Sequence, residues 1–119
     1  MYSAQVLDHF QNPRNAGDLT DADATVEIEN PACGDVLRLS LKASAGRISE
    51  ARFKAKGCVA SIACGSALTE LVVGKTLNEA RNLQHEDVSG AVGGLPQGST
   101  HAAQLAVDAL AAALNRIRT

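Results

Sequence analysis

The fold is decided by residues 37–55, which read LRLSLKASAGRISEARFKA. Leucines alternate with polar residues over residues 37–42, and apolar residues alternate with charged ones over residues 50–55. A period of two is typical of a strand that buries one face. Between the two patterns, Ser44-Ala45-Gly46 favours a turn. The segment therefore predicts two antiparallel strands joined by a tight connection.

A third strand is predicted upstream of this hairpin. Val26 and Ile28 alternate there with Glu27 and Glu29. Three such segments predict a three-stranded antiparallel sheet with one face toward solvent.

A short helix is predicted before the sheet. Ser3 can cap it, and Val6, Leu7 and Phe10 are spaced so that they would lie on one side of the helix. Asn12-Pro13 would end this helix, because proline disfavours helical geometry in the residue before it.

Further helices are predicted after the sheet. Residues 59–73 form one that ends at Gly74, Thr76 opens a capping-box sequence for a short one through Leu83, and Ser99 or Thr100 caps the last. The core-facing residues are Cys64, Leu68, Leu71 and Val72 in the first of these, and Ala103, Val107, Leu110, Leu114 and Ile117 in the last. The predicted class is α+β, a single domain over residues 1–119 with helices packed on one face of the sheet.

Composition narrows the functional classes. The net charge is −2, and Tyr2, Phe10 and Phe53 are the only aromatic residues among 119, which argues against nucleic-acid binding. The N-terminus lacks a signal-peptide pattern, and Gln104 and Asp108 interrupt the longest apolar stretch. We expect a cytoplasmic protein that does not enter a membrane.

Chemically active residues fall at the predicted ends of elements. Cys33 and Asp35 lie just before the second strand, Cys58 lies at the junction from the third strand into a helix, and His101 lies in the first turn of the last helix. Thiolates and imidazole suit iron and zinc, and a carboxylate is a harder ligand that exchanges more readily. These four residues are the candidate metal and cofactor ligands.

The residues alone leave a plainer interpretation open. The three cysteines would then be small buried or loop thiols, Asp35 would be a turn residue, and His101 would lie on the surface. The spacings are too long for a zinc finger, so only the fold could bring the ligands together.

Several motifs in register resemble the IscU/NifU N-terminal family of iron–sulfur cluster assembly scaffolds. The resemblance covers nearly the whole chain. Its motifs are Met1-Tyr2-Ser3, Asp8-His9-Phe10, Asn12-Pro13-Arg14-Asn15, Ala32-Cys33-Gly34-Asp35, Ala51-Arg52-Phe53-Lys54, Gly57-Cys58 and Thr69-Glu70.

The resemblance implies an α+β scaffold that is not itself an enzyme. It implies a transient [2Fe–2S] cluster built from iron and desulfurase-derived sulfur and passed to apo iron–sulfur acceptor proteins. The implied ligands are Cys33, Asp35, Cys58 and His101. The implied partners are a cysteine desulfurase and the acceptors, and the chain is expected to be a monomer or a homodimer.

Two departures from the family pattern change these expectations. The family usually has a third cysteine directly after the histidine, where this chain has Ala102. Cys64 is a candidate substitute, but its place on the apolar stripe favours a buried structural thiol. Residues 95–99 read LPQGS in place of the family's Leu-Pro-Pro-Val-Lys, which argues against an Hsp70-type chaperone as a partner.

Two other functions remain to be distinguished from the scaffold. One is a zinc-binding or sulfur-carrying accessory protein that assembles no cluster, since the four candidate ligands also complete a tetrahedral site for zinc. The other is a thiol enzyme with Cys58 as nucleophile and His101 as base, for which the sequence offers no group to orient the histidine.

Overall fold

The computed structural model describes residues 1–31 and 34–117. The elements in chain order are α1 Ala4–Gln11, β1 Ala24–Glu29, β2 Val36–Ser44, β3 Arg47–Lys56, α2 Val59–Val72, α3 Leu77–Arg81, α4 His85–Ala91, a short 3₁₀ helix Gln97–Ser99, and α5 His101–Arg116. The predicted α+β class is confirmed.

The sheet has the strand order β1-β2-β3, and both pairs are antiparallel. Leu39 in the central strand lies between Val26 of β1 and Phe53 of β3, and all three side chains are buried. Ala45 and Gly46 connect β2 to β3 with φ values of 54° and 77°. Positive φ at both central residues matches the twist of a two-residue hairpin, so the predicted turn is confirmed.

Helices α2 and α5 cover one face of the sheet, as predicted. The other face carries charged side chains, where Arg38 contacts Glu27 and Asp18 at 3.3 Å each. Helix α2 approaches the sheet closely at Gly65, where an added Cβ would lie 2.7 Å from Cδ2 of Phe53. Glycine is therefore needed at the point where helix and strand are closest.

Of the three apolar residues predicted to lie on one side of α1, only Val6 is buried. Ser3 caps the helix by accepting the N–H of Val6 at 3.0 Å, and Val6 is fully buried. Leu7 and Phe10, however, remain 42% and 37% exposed. His9 is buried in their place, because the surface of α2 that α1 covers is partly polar.

A polar clasp attaches this N-terminal segment to α2. This clasp consists of the bonds that buried Ser66 and Thr69 make with residues 9–15. Ser66 Oγ lies 2.7 Å from Nδ1 of His9 and accepts the N–H of Arg14 at 2.8 Å. Thr69 Oγ1 contacts the Arg14 carbonyl at 3.3 Å. Burial, followed by the charge of Arg14, lowers the pKa of His9.

The C-terminal half differs from the prediction at helix starts and ends and by one additional helix. Thr76 and Glu79 form the predicted capping box, but α3 ends at Arg81 rather than Leu83. Helix α4 was not predicted. The expected hydroxyl cap on α5 is wrong: Thr100 Oγ1 donates instead to the Gln97 carbonyl at 3.4 Å, within the preceding 3₁₀ turn.

The core-facing side of α5 is close to the one predicted. Ala103, Leu110, Leu114 and Ile117 are buried, and Val107 is half-buried. Within residues 1–31 and 34–117, no helix has both the length and the apolar character needed to cross a membrane.

Candidate metal centre

Three of the four predicted ligands meet at one corner of the fold. Asp35 directly precedes β2, Cys58 is the residue before α2, and His101 is the first residue of α5. Their nearest ligand atoms all lie within 4.8 Å of one another. Cys33 lies outside the described residues, so its part in the centre stays a prediction.

The three separations suit coordination to one metal ion. Sγ of Cys58 lies 3.3 Å from Oδ2 of Asp35 and 4.0 Å from Nε2 of His101, and that nitrogen lies 3.4 Å from the same carboxylate oxygen. Bonds of zinc-site length at tetrahedral angles place such donors about 3.3–3.6 Å apart. Small movements would therefore complete three corners of a tetrahedron.

The backbone explains how Asp35 reaches this corner. Gly34 has φ +76°, which allows the chain to turn sharply before the strand begins. The Asn30 N–H then bonds to the Asp35 carbonyl at 2.8 Å. The side chain is thereby directed inward, and it is only 4% exposed.

The Asp35 carboxylate is held at the start of α2. Oδ1 accepts the N–H of Cys58 at 3.3 Å, and Oδ2 accepts the hydroxyl of Ser61 at 2.6 Å. Gly57 leaves room for it, since a Cβ there would lie 2.1 Å from Oδ1. Asp35 is therefore more than the turn residue of the plainer interpretation, because it is buried and bonds to the start of α2.

Ser61 belongs to the centre although the sequence analysis did not select it. Its hydroxyl lies 3.4 Å from Sγ of Cys58 as well as 2.6 Å from Asp35. The available signal was spacing, because a residue three positions after Cys58 lies on the same side of a helix.

The orientation of the His101 imidazole distinguishes a metal ligand from a catalytic base. Nε2 faces both the thiol of Cys58 and the carboxylate of Asp35. In a nucleophile–histidine–carboxylate relay the carboxylate binds the other ring nitrogen and orients it. Since one nitrogen faces both groups here, the geometry favours metal coordination over a thiol enzyme.

Cys64 lies in the core, as predicted. It is fully buried within the main apolar cluster, together with Leu68 and Ala102. Burial, with a smaller contribution from Cys58, raises the pKa of its thiol to about 12. Such a thiol stays protonated, which is unfavourable for a metal ligand.

Ala102 is 1% exposed and packs in the same cluster. The residue that follows His101 therefore contributes to the core in this chain, at the position where the resemblance implies that the family usually has a third cysteine.

A three-stranded sheet with helices on one face, and a carboxylate, a thiol and an imidazole at one corner, defines a candidate metal-binding protein of the α+β class. The chain belongs to the family described as "NifU-like N terminal domain", which matches residues 1–119. The family resemblance found in the sequence is thereby confirmed.

Individual relatives agree with this assignment. The chain is 45% identical over 114 residues to "Iron-sulfur cluster assembly scaffold protein IscU 1" of Archaeoglobus fulgidus, covering 96% of this chain and 74% of the relative. It is 42% identical over 117 residues to the IscU scaffold protein of Escherichia coli, covering 95% and 91%. The crystal structure of a NifU-like protein from Brucella abortus shares the fold, with a TM-score of 0.75 at 22% identity over 97% and 92% of the chains.

Proposed function

We propose that this chain is an iron–sulfur cluster assembly scaffold, which binds a transient [2Fe–2S] cluster as cargo and passes it to acceptor proteins. The observation that carries the proposal is the convergence of Asp35, Cys58 and His101 at one corner, in a chain whose relatives are named as such scaffolds. Cys33 is proposed as the fourth ligand.

The chemistry of the donors supports a cluster that is held and then released. Thiolate and imidazole bind iron well, and a carboxylate is the ligand most readily exchanged. Asp35 is therefore the proposed point of release. The three described donors are grouped as for one ion, so binding two irons would require the four proposed ligands, Cys33 included, to divide into two pairs.

Partners follow from the same proposal. A cysteine desulfurase would supply the sulfur and apo iron–sulfur proteins would receive the cluster. The scaffold itself would perform no catalytic turnover.

Anaerobic reconstitution tests the proposal. Apo-protein would be incubated with ferrous iron, cysteine, a cysteine desulfurase and dithiothreitol, whose thiols reduce the persulfide sulfur to sulfide, and then assayed for charge-transfer absorption, iron and acid-labile sulfide. We expect a brown protein with iron and labile sulfide in equal amounts. A colourless product that retains only stoichiometric zinc would support the accessory protein instead.

Two serine variants provide matched controls for this assay. Cys58→Ser removes a proposed ligand, and we expect it to lose the cluster. Cys64→Ser removes a buried thiol outside the centre, and we expect it to load normally. Equal loading in both variants would show that Cys58 does not hold the cluster.

Release can be tested at Asp35 with an isosteric change. Asp35→Asn keeps the shape of the side chain, whereas alanine would leave the Ser61 hydroxyl and the Cys58 N–H without this partner. We expect slower transfer to an apo-ferredoxin from samples loaded to the same iron content. An unchanged transfer rate would exclude Asp35 as the point of release.

A further inference from the structure

The hydroxyl of Ser61 contacts two of the three converging donors. It donates to Oδ2 of Asp35 at 2.6 Å and lies 3.4 Å from Sγ of Cys58. Ser61 is 2% exposed and lies in the first turn of α2. Its hydroxyl is therefore fixed inside the centre rather than exchanging with solvent.

The two oxygens of Asp35 are engaged differently. Oδ1 is held by the Cys58 N–H on the side of Gly57, while Oδ2 faces Cys58 Sγ and His101 Nε2. A carboxylate oxygen offers two lone-pair directions. Oδ2 thus accepts the Ser61 hydroxyl while it faces the point on which the three donors converge.

We propose that Ser61 is a positioning residue that holds Asp35 with Oδ2 directed toward the point where a metal would bind. The inference rests on the proposed function only in taking Asp35 as a ligand. Holding the carboxylate in this orientation before a metal arrives favours binding, because the metal need not order the side chain itself. Ser61 thus sets how firmly Asp35 holds its metal.

A purely structural role for Ser61 makes a different prediction. Ser61 and Asp35 join α2 to the start of β2, so losing the hydroxyl would lower stability in either case. Only a positioning role would also change the affinity and coordination geometry of a bound metal. Hydrogen bonds that orient metal ligands typically change metal affinity about 10- to 100-fold when removed.

The test is anaerobic titration of metal-free protein with Co²⁺ alone. Ser61→Ala is compared with the wild type and with Ser66→Ala, which removes an equally buried serine hydroxyl of α2 at the clasp, outside the centre. Ser61→Thr restores a hydroxyl. Ser61→Gly, which leaves space for a water beside Asp35, replaces the alanine variant if that variant does not fold. Thermal melting by circular dichroism checks each fold.

We expect Ser61→Ala to bind Co²⁺ about 10- to 100-fold more weakly than the wild type. Its visible bands should also be weaker, because a carboxylate that is no longer held in this orientation moves cobalt away from a tetrahedral site. Ser61→Thr and Ser66→Ala should match the wild type.

Unchanged affinity and spectrum in folded Ser61→Ala would overturn the inference. Failure of the wild type to bind Co²⁺, or equal losses in Ser66→Ala, would overturn it as well. A failure of the proposed function would be distinguishable from a failure of this inference. A wild type that binds Co²⁺ in a Ser61-dependent way but never acquires labile sulfide would support the inference and refute the scaffold.

Discussion

Gly57 and Gly17 offer a matched pair of substitutions. Both have a strongly positive φ, +136° at Gly57 and +126° at Gly17. An added Cβ at Gly17 would meet no atom within 4 Å, whereas one at Gly57 would lie 2.1 Å from Oδ1 of Asp35. Alanine at each position therefore carries a similar backbone cost, and only Gly57→Ala also displaces a carboxylate.

The difference in stability can be estimated from the contacts that are lost. Holding a residue other than glycine in such a conformation costs about 1–3 kcal/mol, which applies to both variants. Displacing Asp35 also breaks its bonds with the Cys58 N–H and the Ser61 hydroxyl, worth about 1.5–3 kcal/mol each for a charged acceptor. Partial rehydration of the carboxylate offsets some of this loss. We expect Gly57→Ala to lose about 2–4 kcal/mol more than Gly17→Ala.

Urea unfolding in the presence of a chelator measures this difference without metal. Far-UV circular dichroism is the suitable probe, because the chain has no tryptophan and one tyrosine. A shift in midpoint at unchanged slope would report stability alone. Equal losses of unfolding free energy in the two variants would refute the packing of Asp35 against Gly57.

Three further predictions concern buried groups away from the centre. Burial raises the pKa of Cys64 to about 12 from 9.0, so the unfolded thiol ionises first as pH rises. Between pH 9.0 and about 12, the unfolding free energy of the wild type, measured with urea, should fall by about 1.4 kcal/mol per pH unit more than that of Cys64→Ala. Parallel pH profiles of the two proteins would contradict this. Burial lowers the pKa of His9 from 6.5. The melting temperature should therefore fall as the pH drops below 6.5, because the unfolded histidine binds a proton first. An equal fall in melting temperature in His9→Gln would exclude His9 as the source of this pH dependence. Gly65→Ala should lower the unfolding free energy measured with urea by about 1–3 kcal/mol, because the added methyl group would push on Phe53. Gly90→Ala, where the added methyl group lies in open space on α4, should raise it by about 0.5–1 kcal/mol. A similar effect at both positions would count against close packing at Gly65.

Local pattern was sufficient to predict the sheet. Alternation such as Leu37-Arg38-Leu39 encodes both the strand and the face it buries, and β2 confirms it. Short helices were harder to predict than strands. Helix α4 buries only Val88, so its sequence carries no apolar stripe. In α1, the apolar spacing of Leu7 and Phe10 suggested a buried face that α2 does not provide.

The residue types of the candidate centre could be predicted from the sequence, but the contacts between its residues could not. Asp35, Cys58 and His101 were selected because each lies at the start of an element, and the fold brings them together. The bonds from Ser61 and the Cys58 N–H to Asp35 join residues more than twenty positions apart. No local pattern encodes such contacts. The role of Cys33 as a ligand stays a prediction, because this residue lies outside the described residues.

The bond between the Cys58 N–H and Oδ1 of Asp35 has a practical consequence. The amide belongs to one proposed ligand and the acceptor to another, so any movement of either side chain changes its chemical environment. The Cys58 amide resonance should therefore serve as a label-free reporter. Diamagnetic zinc would shift it on arrival, and hydrogen–deuterium exchange at this amide would report whether Asp35 remains in place. Loading and release could then be followed at a single atom.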